Sequence, residues 1–238
     1  MDALFNYKEF VRLSHEGNIK YEKLKVPKHT DLVNTASQRN NHVYLIVEGF
    51  VSISMNPQSS SIYTVLGKGS FVNYYSLFQG NVDDFLFTTI SPCTIYKYSF
   101  KDLEYFLSMF PENFGFQFFI MRDLARHAFF KSLFAETSSS DKLELSFSNM
   151  GKLHGTLYEK DSVILPKEMR TSTIAAYSNL SKSSFYKQLT LLKDQGKIWK
   201  NGREWVVRNK ELYDYVKARQ FVDSMPAHIF NKHPKQKE

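Results

Sequence analysis

Cysteines and long apolar runs are scarce in this chain, and each shortage excludes a class of protein. Cys93 is the single cysteine among 238 residues. An internal disulfide, a cysteine-ligated iron–sulfur cluster and a cysteine-based zinc site are therefore excluded, and a reducing cytoplasm is the expected location. The sequence lacks a run of about 18 apolar residues, which argues against a transmembrane helix and a membrane partner. Charges occur throughout the N-terminal stretch MDALFNYKEFVRLSHEGN, which has no apolar core of a signal peptide.

Patterns of catalysis and metal binding are also missing. The seven histidines are scattered, without the paired helical spacing of a zinc site. The sequence shows no nucleophile–base set, and the segment GKGS is too short for a phosphate-binding loop. We therefore expect neither an enzyme nor a metalloprotein.

What is present is enough apolar residues for a sizeable core and an uneven distribution of charge. Hydrophobic residues make up 42% of the chain, whose length allows two domains. Residues 1–140 contain 13 basic and 13 acidic side chains, whereas residues 141–238 contain 18 and 11, so the second part carries the whole net charge of +7. This asymmetry favours a polyanionic partner, with double-stranded DNA as the leading candidate, although an ordinary basic surface is the alternative.

Short strands are predicted over the first ~110 residues by runs of β-branched and aromatic residues between turn signals. HVYLIVEGFVSISM gives two strands around Gly49, which can adopt the positive φ of a turn or bulge. SSSIYTVLGKGSFVNYYSLF gives another strand followed by a loop, and FLFTTISPCTIYKYSF gives two more that Pro92 separates. Strands at this spacing indicate a small sandwich or barrel.

One long helix is predicted from Asn113 to about Glu136, where the apolar period changes. Apolar residues cover more than one face of this helix, so it needs packing partners on two sides. A symmetric dimer would supply the second covering, although burial within a single larger core explains the same pattern. The residues assigned to the dimer contact are Phe114, Phe118, Met121, Ala125 and Ala128.

A helix-turn-helix is predicted over residues 170–189, beyond the polar break ETSSSD. Ser181 occupies the N-cap of the second helix, and Phe185, Leu189 and Leu192 form the stripe that packs back on the first. The N-terminal end of such a second helix enters the major groove of DNA. Asn201-Gly202 predicts a type I′ hairpin that would serve as a wing near the phosphates, and KELYDYVKARQFVDSM predicts a final helix before the basic tail NKHPKQKE.

These segments resemble the Crp/Fnr superfamily of bacterial transcription regulators over nearly the whole chain. VYLIVEGFVSI resembles the family's β-roll strand pair, LGKGSFVNYYSLF its glycine loop, and LSKSSFYKQLTLLKDQGKI its recognition helix and the turn into the wing. The resemblance implies an α+β protein with a cyclic-nucleotide-binding-like β-roll (1–110), a dimerisation helix (111–137) and a winged helix-turn-helix domain (138–238). The C-terminal addition LYDYVKARQFVDSMPAHIF is similar to that of the PrfA-type virulence activators of Gram-positive bacteria.

A homodimer that reads a palindromic promoter site, and that activates transcription through RNA polymerase, is what the resemblance implies. By position, Lys182, Ser183 and Lys187 would read bases, and Arg170, Thr171 and Ser184 would contact the DNA backbone. The complete predicted DNA-binding set is Arg170, Thr171, Ser181, Lys182, Ser183, Ser184, Tyr186, Lys187, Lys200 and Arg203. The alternative function is a small-molecule sensor that acts through protein partners without specific DNA binding.

The effector region departs from members of the family that bind cyclic nucleotides. Val72 and Asn73 replace a Gly-Glu pair, and no arginine lies between Arg39 and Arg122 to neutralise a cyclic phosphate. Cyclic-nucleotide sensing is therefore not expected. Two possibilities remain from the resemblance: the protein uses no cofactor, or it binds a small effector such as glutathione. Tyr74 and Tyr75 would either line the effector cavity or pack in the core.

Overall fold

A computed structural model of the chain describes residues 7–33, 41–55, 61–74, 85–109 and 114–224, with side chains as far as residue 220. The described N-terminal part contains two antiparallel sheets, with strand orders β1-β7-β2-β5 and β4-β3-β6. The strands are β1 (Glu22–Val26), β2 (His42–Glu48), β3 (Val51–Ser54), β4 (Thr64–Leu66), β5 (Phe71–Val72), β6 (Leu86–Thr89) and β7 (Cys93–Ser99). The predicted strands on both sides of Gly49 and Pro92 are thus confirmed.

Gly49 connects β2 to β3 at a position that excludes larger residues for two reasons. Its φ is +95°, a conformation that L side chains rarely adopt. A Cβ atom would also lie 2.5 Å from the Pro92 carbonyl oxygen and 2.6 Å from the Cys93 sulfur. The close approach of two strand connections here therefore depends on glycine.

Among the described residues, three helices cover the sheet β1-β7-β2-β5: α1 (Tyr7–His15), α2 (Phe100–Met109) and the first half of α3 (Phe114–Glu136). Helix α1 is not among the predicted elements. It places Phe10, fully buried, edge-on to the rings of Phe71, Tyr98 and Phe116, with centroids 5.2 to 5.6 Å apart. This aromatic cluster joins the N-terminal helix, the sheet and the long helix.

The described C-terminal part contains four helices and a small antiparallel sheet of order β10-β11-β9-β8. The elements are α4 (Lys142–His154), β8 (Thr156–Leu157), β9 (Ser162–Ile164), α5 (Thr171–Ser178), α6 (Lys182–Asp194), β10 (Ile198–Asn201), β11 (Glu204–Arg208) and α7 (Lys210–Ser224). Ile62 and Val65, beside and within β4, belong to the same buried cluster as the side chains of α4, α5 and α6. The two parts of the chain therefore share a core. The boundaries predicted at residues 110 and 137 remain predictions, and the basic tail lies outside the described residues.

Helix α7 is held against the end of α4 by one side chain. The guanidinium of Arg219 donates to the carbonyl oxygens of Lys152, Leu153 and Gly155, with distances of 2.9 Å to Leu153 and 2.6 Å to Gly155. These carbonyl groups lie at the C-terminus of α4, where they have no partner within the helix. Arg219 thus caps α4 from the neighbouring helix.

The hairpin of β10 and β11 is confirmed, but its turn differs from the prediction. Asn201 pairs with Glu204, so the central residues are Gly202 and Arg203 rather than Asn201 and Gly202. Gly202 has a φ of +58°, and Arg203 is not among the residues with positive φ. A type I′ turn requires positive φ at both central positions, whereas type II′ requires it at the first alone, so the type I′ assignment is wrong.

No helix in the part of the chain that the structure describes is long and apolar enough to cross a membrane.

Candidate nucleic-acid interface

Two residues define the turn between α5 and α6, one at the end of the first helix and one at the start of the second. Asn179 ends α5 in the left-handed conformation, with φ of +51°, which asparagine tolerates better than most residues. Ser181 then begins α6 as its N-cap, where its hydroxyl oxygen accepts a hydrogen bond from the Ser184 backbone amide at 3.3 Å. The predicted cap is confirmed, and the turn brings the end of α5 next to the start of α6.

The face of α6 that packs into the core is the face predicted from the sequence. Phe185, Leu189 and Leu192 are all buried, in the same cluster as Ile174 of α5 and Trp205 of β11. This stripe fixes the rotation of α6 about its own axis. The opposite face is therefore presented to solvent in a defined orientation.

The outer face of α6 carries Lys182, Ser183, Tyr186 and Lys187, all exposed near the N-terminal end. Tyr186 is 52% exposed. Among the described residues, neither lysine forms an ion pair, so both charges face solvent. The structure thus groups four of the predicted residues on one accessible surface, although whether they contact DNA stays a prediction.

The serines at the start of α6 are partly engaged with each other. The Ser181 hydroxyl donates to the Ser184 hydroxyl at 2.9 Å and lies 3.2 Å from that of Ser183. Ser184 is also half-buried. We therefore assign Ser181 and Ser184 mainly to the cap. The accessible surface keeps Lys182, Ser183, Tyr186 and Lys187.

Thr190 and Leu191 extend this surface by one turn and were missed from the sequence. Both are exposed, and Leu191 is 54% exposed. Ser183, Lys187 and Thr190 follow the spacing of one helical face, which would have predicted Thr190 had the period been followed beyond the second turn. The accessible face therefore spans more than the predicted N-terminal end.

Gln188, also missed, fixes α6 to the first turn of α4 and to the segment that precedes it. Its side-chain amide donates to the Ser139 carbonyl oxygen, and its amide oxygen accepts from the Leu143 backbone N–H at 3.3 Å. Lys197, just beyond α6, forms an ion pair with Glu144 at 2.7 Å. These contacts join residues more than 40 positions apart, so no local pattern indicated them.

Lys200 and Arg203 lie at the tip of the β10–β11 hairpin, as predicted, but in different environments. The Lys200 ammonium lies 4.0 Å from the centre of the Trp205 ring and donates to the Arg203 carbonyl oxygen at 3.2 Å. Partial burial, with the Lys193 charge, lowers the pKa of Lys200. Arg203 is exposed at the turn itself. Arg203 is therefore the better placed of the two to reach a phosphate.

Arg170 and Thr171 lie at the start of α5. Arg170 occupies the N-cap position in an extended conformation and is exposed, while Thr171 is half-buried. The N-terminus of a helix favours anions, because its first amide groups and its dipole point toward them. This position is compatible with the predicted backbone contact.

Tyr74 is a core residue in the structure. It is 1% exposed, packs against the ring of Phe71 at 6.1 Å between centroids, and has its pKa raised to about 12 by burial. Tyr75 lies outside the described residues. A role for either residue in an effector cavity stays a prediction. Among the described residues, no group of histidine, cysteine and acidic side chains could hold a metal ion.

The sheets of the N-terminal part correspond to a known domain. Residues 23–109 match the cyclic nucleotide-binding domain family. The match includes β1 to β7 and α2. The matched residues therefore lie within the part, 1–110, that the sequence predicted as a β-roll. Comparison with curated protein sequences gives no match.

Solved structures extend the likeness beyond that domain. A cyclic nucleotide-binding domain containing protein from Listeria monocytogenes EGD-e has a TM-score of 0.71 at 15% identity, covering 86% of this chain and 96% of its own. The c-di-GMP responsive global regulator CLP from Xanthomonas campestris has a TM-score of 0.64 at 16% identity, covering 84% and 99%. A CRP/FNR-family transcriptional regulator from Thermus thermophilus has a TM-score of 0.60 at 13% identity, covering 83% and 100%.

Coverage this high includes the described C-terminal elements as well as the cyclic nucleotide-binding-type domain. At these identities the likeness establishes the fold. The neighbours whose descriptions state a role are transcription regulators, not enzymes.

Proposed function

We propose that the chain is a dimeric transcription regulator of the Crp/Fnr type that reads a palindromic promoter site with α6. The observation that carries the proposal is the fixed outer face of α6, with Lys182, Tyr186 and Lys187 exposed and its inner face buried. Helices α5 and α6 act as the helix-turn-helix, and the β10–β11 hairpin acts as the wing. The excess of positive charge in residues 141–238 supports an electrostatic attraction to DNA.

The surface of α3 supports a dimer. Phe114, Phe118 and Met121 are 57%, 65% and 40% exposed, and Ala125 and Ala128 of the same stripe are exposed too. Their spacing alternates between four and three residues, which is the pattern of a helix seam that packs against another helix. The opposite face, which includes Phe116, Ile120 and Leu124, is already buried within the protomer. A second copy of α3 is the covering that we propose for the exposed stripe.

In this proposal two α6 helices enter successive major grooves on one side of the DNA, about one helical turn apart. Activation through RNA polymerase and membership of the PrfA-type branch are narrower parts of the proposal. The last rests on the C-terminal segment LYDYVKARQFVDSMPAHIF, of which residues 212–224 belong to α7.

We further propose that the cyclic nucleotide-binding-type domain does not use a cyclic phosphate. The support is the lack of arginine between Arg39 and Arg122, which leaves the domain without the usual bidentate partner of a phosphate. A small effector such as glutathione, or no effector, is the remaining proposal. Calorimetric titration with cyclic AMP and with glutathione would separate these possibilities.

The decisive experiment selects duplexes from a random library with the full chain and then measures affinity by fluorescence anisotropy. Lys187→Ala should weaken binding to the selected site by about tenfold and relax the preference at one base position, as expected for loss of a base contact. Arg203→Ala should instead lower the slope of log affinity against log salt by about one and leave the preference intact.

The control variant is Lys101→Ala, which removes one positive charge from an exposed position on α2. Equal losses of DNA affinity in Lys101→Ala and Lys187→Ala would show that the loss follows from the lower net charge and that Lys187 does not contact a base. Wild-type affinity that is the same for every duplex would instead favour a sensor that acts through protein partners.

A further inference from the structure

Lys131 of α3, which is half-buried, connects three separate elements through its ammonium group. The Nζ atom donates to the Ile62 carbonyl oxygen at 3.1 Å and to the Tyr177 carbonyl oxygen at 3.0 Å. Ile62 lies just before β4 in the cyclic nucleotide-binding-type domain, and Tyr177 lies in the last turn of α5. One side chain thus joins the long helix, the strand domain and the first helix of the DNA-binding unit.

Aromatic rings complete the surroundings of the Lys131 ammonium. It lies 4.8 Å from the centre of the Phe134 ring and 4.6 Å from that of Tyr177. Among the described residues, Lys131 forms no ion pair with a carboxylate. Burial, with a smaller effect of the Lys142 charge, lowers its pKa to about 8. Withdrawing an ammonium group from water has a cost that well-placed partners offset, so the two carbonyl groups and two ring faces favour this arrangement of the three elements.

Two further contacts near Lys131 join the strand domain to α4 and α5. The Ile62 backbone N–H donates to the Ala176 carbonyl oxygen at 3.0 Å. The Nε2 atom of His154, at the end of α4, lies 2.8 Å from the Val65 carbonyl oxygen in β4. The edge of the strand domain is therefore seated on both α4 and α5.

We infer that Lys131 is a positioning residue that holds α5 against the strand domain and thereby sets the orientation of the reading end of α6. Tyr177 is separated from the first residue of α6 by a turn of a few residues, so a shift of α5 moves that end directly. The inference rests on the proposed function as far as DNA is concerned. The orientation itself is a property of the protein alone.

The test uses Lys131→Met in the full chain, with Lys101→Met as the control that removes the same charge from an exposed position. Spin labels at Lys23→Cys and Lys217→Cys, both exposed, report the distance between the strand domain and α7 by pulsed electron resonance. The native Cys93 is buried. The doubly labelled chain is mixed with an excess of the same variant without the two label cysteines, so that a dimer carries at most one labelled pair. We then expect one narrow distance distribution in the Lys101→Met protein and a broadened or second distribution in Lys131→Met.

Affinity for the selected duplex provides the second measurement. Lys131→Met should bind at least about fivefold more weakly than Lys101→Met, the lower end of the usual coupling between two sites. If Lys131→Met does not fold, Lys131→Gln takes its place in both measurements. Glutamine is a shorter, neutral donor that cannot reach both carbonyl groups.

Unchanged distances would overturn the inference, and so would a lower melting temperature with unchanged distances and affinity, because Lys131 would then be structural alone. If the wild type does not discriminate between duplexes, the proposed function fails, and the distance measurement still decides the role of Lys131.

Discussion

Truncation of Phe118 is a quantitative test of the proposed dimer seam on α3, the stripe of Phe114, Phe118, Met121, Ala125 and Ala128. The side chain is 65% exposed in the single protomer. Since a phenylalanine buries on the order of 200 Å², roughly 130 Å² per protomer is available to a partner. At about 25 cal/mol per Å², covering this area in both protomers contributes up to ~6 kcal/mol to association. Alanine retains part of this area, so we expect Phe118→Ala to cost about 4 kcal/mol and to raise the dimer dissociation constant roughly 1000-fold.

Sedimentation velocity across a wide range of protein concentrations measures that dissociation constant. Tyr105→Ala is the matched control, because Tyr105 on α2 is an aromatic side chain with 62% exposure that lies off the α3 stripe. Circular dichroism should show that both variants keep the fold. Equal dissociation constants for the two variants, or a wild type that stays monomeric at every concentration, would refute the assignment of the seam.

Three further predictions concern the stability of the fold. Phe185→Ala, at a position 2% exposed, should lower the free energy of unfolding by about 3–5 kcal/mol in urea denaturation and should abolish DNA binding; a loss under about 1 kcal/mol would contradict the packing of α6. Burial lowers the pKa of His127 to about 4 and of His154 to about 3, so the unfolded chain protonates first as the pH falls below about 6.5. The two histidines should therefore reduce the free energy of unfolding by up to roughly 2.7 kcal/mol per pH unit as the pH falls to about 4. His154→Gln should halve that contribution, and an unchanged dependence of the free energy of unfolding on pH in this variant would contradict the prediction. Gly155→Ala should cost about 1–3 kcal/mol, because the new Cβ would lie 2.3 Å from Val163, whereas an unchanged melting temperature would show that the strand can move aside.

Local patterns explain which parts of the fold could be predicted. Gly49 and Pro92 mark strand ends by their own backbone preferences, and the stripe of Phe185, Leu189 and Leu192 defines a helix face within a few turns. The two stripes of apolar residues on α3 are also visible in the sequence, because the helical period places each stripe on its own face. These features depend on residues close together in sequence.

Features that depend on distant residues could not be predicted. Helix α1 is short, and Phe10 is buried by rings of Phe71, Tyr98 and Phe116, which only the fold brings together. The partners of Lys131 lie 69 and 46 positions away along the chain. In the sequence this lysine is one of many, and no residue near it in the chain indicates these partners. The hairpin turn was predicted one residue too early because Asn-Gly is a strong signal, yet the pairing of Asn201 with Glu204 makes Gly202 the first central residue.

The exposed stripe of α3 also tapers along its length. Phe114, Phe118 and Met121 are large, whereas Ala125 and Ala128 are small. Helix axes approach to about 8–10 Å according to the side chains between them, so two copies joined along this stripe would diverge beside the strand domains and converge beside α4. In the proposed dimer, the narrow end of that wedge would set the gap between the two proposed DNA-reading surfaces. A larger residue at Ala128 would then change the preferred half-site spacing, although Ala128 lies on α3, outside the proposed DNA-reading surface.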